Sequence, residues 1–358
     1  MKKPKLTPKL RLKNPIRRRL GTEDRVTEAF ANVPRITNDT VAEHREEVLA
    51  GARKFIYPLQ HSKHRVVRIS VVLLSVAAIA FFSYVGLSLY KFQSTSTFIY
   101  DVTKVIPLPV AKAGNSWVSY ENYLFELKRN MHYYRTQQHT NFASKDGKVQ
   151  LERLRVKAME TVIRDAYVKQ LANKNGIRVT NKEVQEQVSL VRTQNRLGSN
   201  DRVFKDVLNE FWGWSIADFE RKLSQQLLQQ EVASTLDSAS LDRANQVLTQ
   251  LKGGADFAKV AAASSEDNLS KANGGQYPQP ISRNDHSIPP QLTAAFFSLK
   301  AGEISSVIDA GYTREIVKVT DTSGAKVTAS HIQFTIKDVN DYIKPLAAKQ
   351  PTHRYIKV

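Results

Sequence analysis

The sequence predicts an α+β protein tethered by one transmembrane helix, and three observations predict it. One uncharged apolar run of 22 residues, Ile69 to Tyr90, is long enough to cross a bilayer as a helix. Behind it, apolar residues recur at helical spacing as far as Leu236. Beyond Leu236, short helical patterns alternate with Gly- and Pro-rich turns and with strand-like runs, the pattern of a small α+β domain. With 358 residues, of which 41% are hydrophobic, the chain can bury a real core, which excludes wholesale disorder. It contains no cysteine, so disulfide scaffolds, thiolate metal sites and cysteine nucleophiles are excluded.

The elements follow in chain order. Residues 1–68 carry 17 Lys and Arg against 7 Asp and Glu, a net of +10 out of +19 for the whole chain. Pro4, Pro8, Pro15 and Pro34 interrupt this stretch, so residues 1–65 are expected to be a disordered or loosely helical basic arm lying near anionic headgroups. Aromatics are sparse there and no recognised module surrounds them, which argues against nucleic acid as its partner. His61 and His64 have no third ligand nearby, so no metal site is expected. Arg65 and Arg68 flank the apolar run on one side, and Tyr84, Tyr90 and Lys91 stand at its other end. By the positive-inside rule the arm is cytoplasmic and the bulk of the chain lies outside the cell membrane. The transmembrane helix is placed at 66–91 and a polar stalk at 92–104.

Residues 105–238 read as an all-helical module. It opens with an extended segment, Val105–Val118, with a turn at Gly114-Asn115. Helices are expected at Tyr120–Thr136 and Val149–Asn173, the second closing in the C-cap sequence Lys174-Asn175-Gly176. Thr180 with Glu183, and Ser215 with Asp218, are capping boxes opening two more. Phe211, Trp212 and Trp214 form an aromatic patch suited either to core packing or to binding a client. Residues 239–358 then give helices at Leu241–Lys252, Asp256–Ala263 and Gln291–Leu299, with strands at Glu315–Val319 and Val327–Ile336.

Several segments of this last part resemble one family. They are Gly254-Ala-Asp-Phe-Ala-Lys-Val-Ala261, Ser265-Glu-Asp267, Ser270-Lys-Ala-Asn-Gly-Gly275, Ala295-Phe-Phe-Ser-Leu299, Gly302-Glu-Ile-Ser305 and Ile316-Val-Lys-Val319. In order and spacing they look like a parvulin-type (PpiC) peptidyl-prolyl isomerase. The helical part is similar to the chaperone domain of SurA-, PrsA- and PpiD-like foldases, through Val110–Asn115, Ala172–Thr180 and Phe219–Leu228. The resemblance implies isomerisation of peptidyl-prolyl bonds in exported or surface proteins, with ATP-independent binding of unfolded polypeptide. The alternative is a parvulin-like chaperone that only binds clients.

Three departures stand out. The family's opening strand, reading like A-S-H-I-L, is missing before Leu241, and Ala329-Ser-His-Ile332 appears instead after the last expected strand. A C-terminal hairpin that fills the gap, as in a circular permutation, accounts for this; a truncated second repeat beginning at Val327 also would. Glu315 stands where the family carries its second histidine, and Gln276-Tyr-Pro-Gln279 replaces the usual G-D-L-G. The resemblance implies catalytic roles for His331 and Asp267 and a proline cup of Ile288, Leu292 and Phe297. Rotation about a C–N bond breaks no bond, so neither metal nor cofactor is required.

Overall fold

The structure, a computed structural model, describes residues 36–56, 59–194, 200–285 and 287–358. The chain divides into two units, the second running from Phe82 to Val358. Pro4, Pro8, Pro15 and Pro34 lie outside the described residues. Within the expected arm, the described residues Asn38–Ile56 form a helix, α1. Thr37 caps it, its Oγ1 accepting from Thr40 N while Thr40 Oγ1 accepts from Thr37 N.

Helix α2 (Leu59–Gly86) carries the apolar run, and it is the one helix among the described residues long and apolar enough to cross a membrane. From His64 to Tyr84 its side chains are exposed, but Val85 near its end, and Ser88 and Leu89 in the π-helical turn that follows (Leu87–Lys91), are buried within the second unit. The last turns of the apolar run therefore belong to the protein core, while the rest of it is exposed. Composition alone could not divide them, because lipid-facing and core-facing residues are equally apolar. The expected stalk is likewise structured. Ser96 caps helix α3 (Thr97–Val105), which buries Ile99 and Thr103.

The helical module is built on a hairpin of β1 (Pro109–Ala113) and β2 (Ser116–Ser119), with Gly114 at φ +55° in the turn. Its helices are α4 (Tyr120–Thr136), α5 (Lys145–Asn175), α6 (Asn181–Gln194), α7 (Asp201–Trp212) and α8 (Ile216–Leu236). The capping box at Ser215 and Asp218 forms as the residue types dictate, and Gly176 closes α5 at φ +70°. In the aromatic patch Trp214 stacks on Phe125 at 5.6 Å in a second core, while Phe211 at its edge is 38% exposed.

Asp237 opens the second module, whose helices are α9 (Ser238–Lys252), α10 (Phe257–Ser264) and α11 (Pro290–Ser298). Its strands are β3 (Ile281–Ser282), β4 (Ile308–Asp309), β5 (Thr313–Ser323) and β6 (Lys326–Thr335), antiparallel in the order β3-β6-β5-β4. The C-terminal strand β6 is thus an interior strand, joined to β5 by a tight turn in which Gly324 takes φ +61°. It is buried on both faces rather than one. Ile332 and Phe334 pack under α9 and α10 with Leu248, Leu251 and Phe257. Val327 and Ala329 point the other way, toward Ile281, Leu292 and Phe296.

Residues 239–358 do not stay in one body. After β6, the Lys337 N–H donates to Asp237 Oδ2 at 2.9 Å, so the module's exit is tied to its entrance. Helix α12 (Val339–Lys349) then returns to the helical core, where Val339 and Ile343 are buried. Strand β7 (Thr352–Arg354) pairs with β1, completing a sheet ordered β2-β1-β7. The second module is inserted in the first. Local periodicity cannot reveal such a return, because the partner lies more than 200 residues away at β1.

Candidate active site

Strand alternation puts Glu315, Val317 and Val319 of β5 on the same sheet face as Val327, Ala329 and His331 of β6, with Val317 directly opposite His331. Glu315 is therefore the diagonal neighbour of His331. The loop after α10 closes over this face from the edge of β6. Glu266 N donates to Gln333 O at 2.8 Å, and Ser265 Oγ accepts from Gln333 N, which registers Asp267 beside the histidine. Further along, the His331 N–H donates to Gly275 O at 2.8 Å and Tyr277 N donates to Ala329 O at 3.0 Å. Gly275 sits at φ +78°, and a Cβ there would lie 2.1 Å from the His331 carbonyl oxygen. Only glycine permits this approach.

The result is a chain of polar side chains centred on His331, which is 6% exposed. Its Nδ1 lies 2.8 Å from Glu315 Oε2, and its Nε2 lies 3.2 Å from Asp267 Oδ2 and 2.9 Å from Ser270 Oγ. Thr313 Oγ1 donates to the other oxygen of Glu315 at 2.9 Å. Asp267 also accepts from Leu269 N and Ser270 N, both at 3.1 Å, and from the Ser270 hydroxyl. The Tyr277 ring covers the imidazole at 4.6 Å between centroids and meets Phe296 edge-on at 5.4 Å.

Burial is the largest influence on His331 and would lower its pKa. The hydrogen bond and charge of Glu315, followed by the charge and hydrogen bond of Asp267, outweigh it and raise the pKa above the ordinary imidazole value. For Asp267 burial pulls upward, but the hydrogen bonds from Ser270 and Leu269 and the neighbouring His331 hold its carboxyl below the usual range. Burial, then the charges of Glu315, Asp267 and Asp285, push the Tyr277 phenol up.

Ser270, His331 and Glu315 have the spacing of a nucleophilic triad, but the chemistry differs. The Ser270 hydroxyl donates to Asp267, so its oxygen can only accept from the imidazole. No base stands ready to activate it. The array suits fixed charge beside an apolar wall.

The structure brings His331 and Asp267 together, and it gathers the three expected cup residues in and against one apolar cluster at different depths. Leu292 is 1% exposed and sealed among Ile281, Phe296, Val317 and Val327. Ile288 belongs to the same cluster and also lines a cleft of about 370 Å³ with Pro290, Thr293 and, from α6, Leu190 and Thr193. Phe297 is half-buried with the Arg283 guanidinium 4.3 Å from its ring, whereas the adjacent Phe296 is the ring turned toward Tyr277. Ser270, Tyr277 and Phe296 join the site without a signal of their own in the sequence, and Glu315, which stands at the family's second histidine position, takes part in it directly. The usable signal for Glu315 was an acid in phase with Val317 and Val319 on a strand buried on both faces.

Comparison with known proteins agrees with this architecture. Residues 60–233 match the SurA-like N-terminal domain, and residues 227–321 match the PPIC-type PPIase domain. The second match stops at Asp321, so the strand bearing His331 lies beyond it. A parvulin-like PPIase from Rickettsia bellii is 26% identical over 210 residues, covering 54% of this chain and 70% of that protein. The foldase protein PrsA of Caldanaerobacter subterraneus is 27% identical over 188 residues, 48% of this chain and 58% of that one. A crystal structure of PrsA from Streptococcus pneumoniae overlaps with a TM-score of 0.17 at 19% identity, covering 54% of this chain and 76% of that one, and carries no weight at that score. With a SurA-like N-terminal domain followed by a PPIC-type peptidyl-prolyl isomerase domain, the chain is similar to the parvulin-type, SurA/PrsA-like foldases.

Proposed function

We propose that this protein is a membrane-anchored foldase, acting outside the cytoplasm, that speeds cis–trans isomerisation of peptidyl-prolyl bonds and holds unfolded clients without ATP. The observation that carries the reading is the Asp267–His331–Glu315 array, set on the sheet face against the apolar wall of α11. The barrier to rotation, about 18–20 kcal/mol, comes from amide resonance. A site lowers it by fitting the twisted amide better than the planar one, through apolar grip on the proline ring and fixed charge beside the C–N bond. In this reading Asp267, the less buried of the two carboxylates, acts on the twisted bond and His331 supports it. Phe297 and Ile288 meet the proline ring, and Leu292 backs them.

Strand β6 takes the place of the family's opening strand, so Ala329-Ser-His-Ile332 is the displaced A-S-H-I segment of a circularly permuted domain. Its interior place in the β3-β6-β5-β4 order supports this over a truncated second repeat. For the anchor, Val66 to Tyr84 is exposed throughout and would span about 28 Å as a helix, close to the hydrocarbon thickness of about 30 Å. The basic lead then faces the cytoplasm. A reporter fused after Val358 that is active only in the cytoplasm would overturn that topology.

The near-complete burial of Leu292 and His331 favours the second reading, a chaperone that binds clients without catalysis. A protease-coupled proline isomerisation assay separates the two, because a binder alone leaves the rate at its uncatalysed value.

A further inference from the structure

We propose that Glu315 is a positioning residue that, together with Asp267, holds both ring nitrogens of His331 as hydrogen-bond donors, so that a clamped imidazolium rather than a free base organises the site. This rests on the isomerase reading above and goes beyond it, since it gives a task to the residue that breaks the family's histidine pair.

Ionised carboxylates only accept, and each ring nitrogen of His331 faces one, at 2.8 Å for Glu315 and 3.2 Å for Asp267. A neutral imidazole has one donor and one acceptor. With the Ser270 proton given to Asp267, the Ser270 oxygen, 2.9 Å from Nε2, is an acceptor too. The neutral ring would therefore set a lone pair against an acceptor in a site that water scarcely reaches. The doubly protonated ring satisfies both. Among the described residues, the titratable groups facing His331 are Asp267 from the loop after α10, Glu315 from β5 and Tyr277 from the segment before β3. α11 contributes only the apolar Phe296, by way of Tyr277. Tyr277 stays a neutral phenol, and among the described residues no lysine or arginine pairs with either carboxylate. The raised His331 value and the lowered Asp267 value agree with the clamp.

The clamp restricts what His331 can do. With both N–H groups engaged, it neither takes a proton from a substrate nor gives one. It acts through Asp267, keeping that carboxylate ionised and aimed, while Glu315 keeps the histidine charged. A second histidine at position 315 would make a pair able to share a proton. Glutamate makes a fixed charge array instead, with a net charge of −1.

The test is histidine-selective nitrogen NMR on the full chain in detergent micelles, with the His331 signal assigned from His331→Gln. The wild type should show two protonated ring nitrogens at pH 7. Glu315→Gln keeps an acceptor but removes the charge, and should lower the titration midpoint by about one to three pH units. Glu315→Asp should restore most of it. The isomerisation rate at saturating peptide should fall along the same midpoint in each variant, while the peptide concentration giving half-maximal rate stays unchanged. A single protonated nitrogen in the wild type, an unmoved midpoint in Glu315→Gln, or a rate that ignores the midpoint would each overturn the proposal. The clamp with no isomerisation at any pH would instead refute the proposed function and leave the clamp standing. Where His331→Gln fails to fold, the His331 signal is assigned in the wild type from its ring-to-backbone correlations, and the wild-type spectrum still decides the protonation state.

Discussion

Replacing Ile332 with alanine should loosen the isomerase-like module and leave the helical module intact. Ile332 is fully buried on β6, opposite Ile316 of β5 and beneath Leu248, Leu251 and Phe257. Removing three carbons from such a site costs about 2–5 kcal/mol, depending on how far the surroundings collapse. Here they collapse little. β6 is hydrogen-bonded to a strand on each side and its other face is packed against α11, so we expect about 3–4 kcal/mol. Each 1.4 kcal/mol is a factor of ten, so amides of β5 and β6 that exchange by opening of the module should exchange about 10²–10³ times faster. Hydrogen exchange read by mass spectrometry on the full chain measures this directly, with α4 and α5 as the internal reference. Thr335→Ala, exposed at the end of the same strand, should change exchange little, by about 0.5 kcal/mol at most. An Ile332→Ala effect below about tenfold, or an equal loss in α4 and α5, would refute an interior β6.

Gly275→Ala should destabilise the module by at least about 2 kcal/mol in urea unfolding, because a positive φ and a Cβ 2.1 Å from a backbone oxygen are both unfavourable. Deleting residues 337–358 removes the buried Val339, Ile343 and Ile356, roughly 6 kcal/mol of burial at about 2 kcal/mol each. Fluorescence of Trp117, Trp212 and Trp214, all in the helical module, should then report melting at lower temperature, while amides of residues 238–336 stay protected. Stability should also depend on pH through His331. Its folded pKa is raised, so its contribution is complete below the unfolded value of about 6.5 and fades as pH rises through the folded one. For Asp267 the direction reverses: its contribution is complete above about 3.9 and fades as pH falls through the lowered folded value. Thermal melts across pH should therefore decline on both sides of a mildly acidic plateau, and His331→Gln should flatten the alkaline side.

Much of the fold was legible because it is written locally. Capping residues, the Gly114 turn and 3.6-residue spacing set the helices within a few residues of where they lie. The C-terminal strand was legible for another reason. An alternating run after the last expected strand, on a sheet otherwise lacking an interior strand, had one useful place to go. What escaped depends on contacts distant in sequence. Val85 and Leu89 look like lipid-facing residues until Tyr120 covers them, with its hydroxyl on Leu89 O. Ile99 made the stalk a helix by docking on the same core. Val339 and Ile343 return to a module that the chain had left at Asp237. At the site, His331 and Asp267 came from the family resemblance, which also marks position 315, whereas the contact of Glu315 with His331 required the strand register. Phe296 and Phe297 differ by one position, about 100° of helical rotation, and only packing decides which ring faces Tyr277.

The central claim is that this chain turns prolyl bonds at a site built on Asp267 and His331. Its most direct test is the relaxation of a cis-prolyl peptide to the trans form in the presence of the full chain, wild type beside Asp267→Ala. The account predicts that the wild type shortens a relaxation that otherwise takes tens of seconds, and that the variant, folded by circular dichroism, loses most of that acceleration. A wild-type protein that leaves the relaxation time unchanged over a wide concentration range, or a variant as active as the wild type, would contradict it.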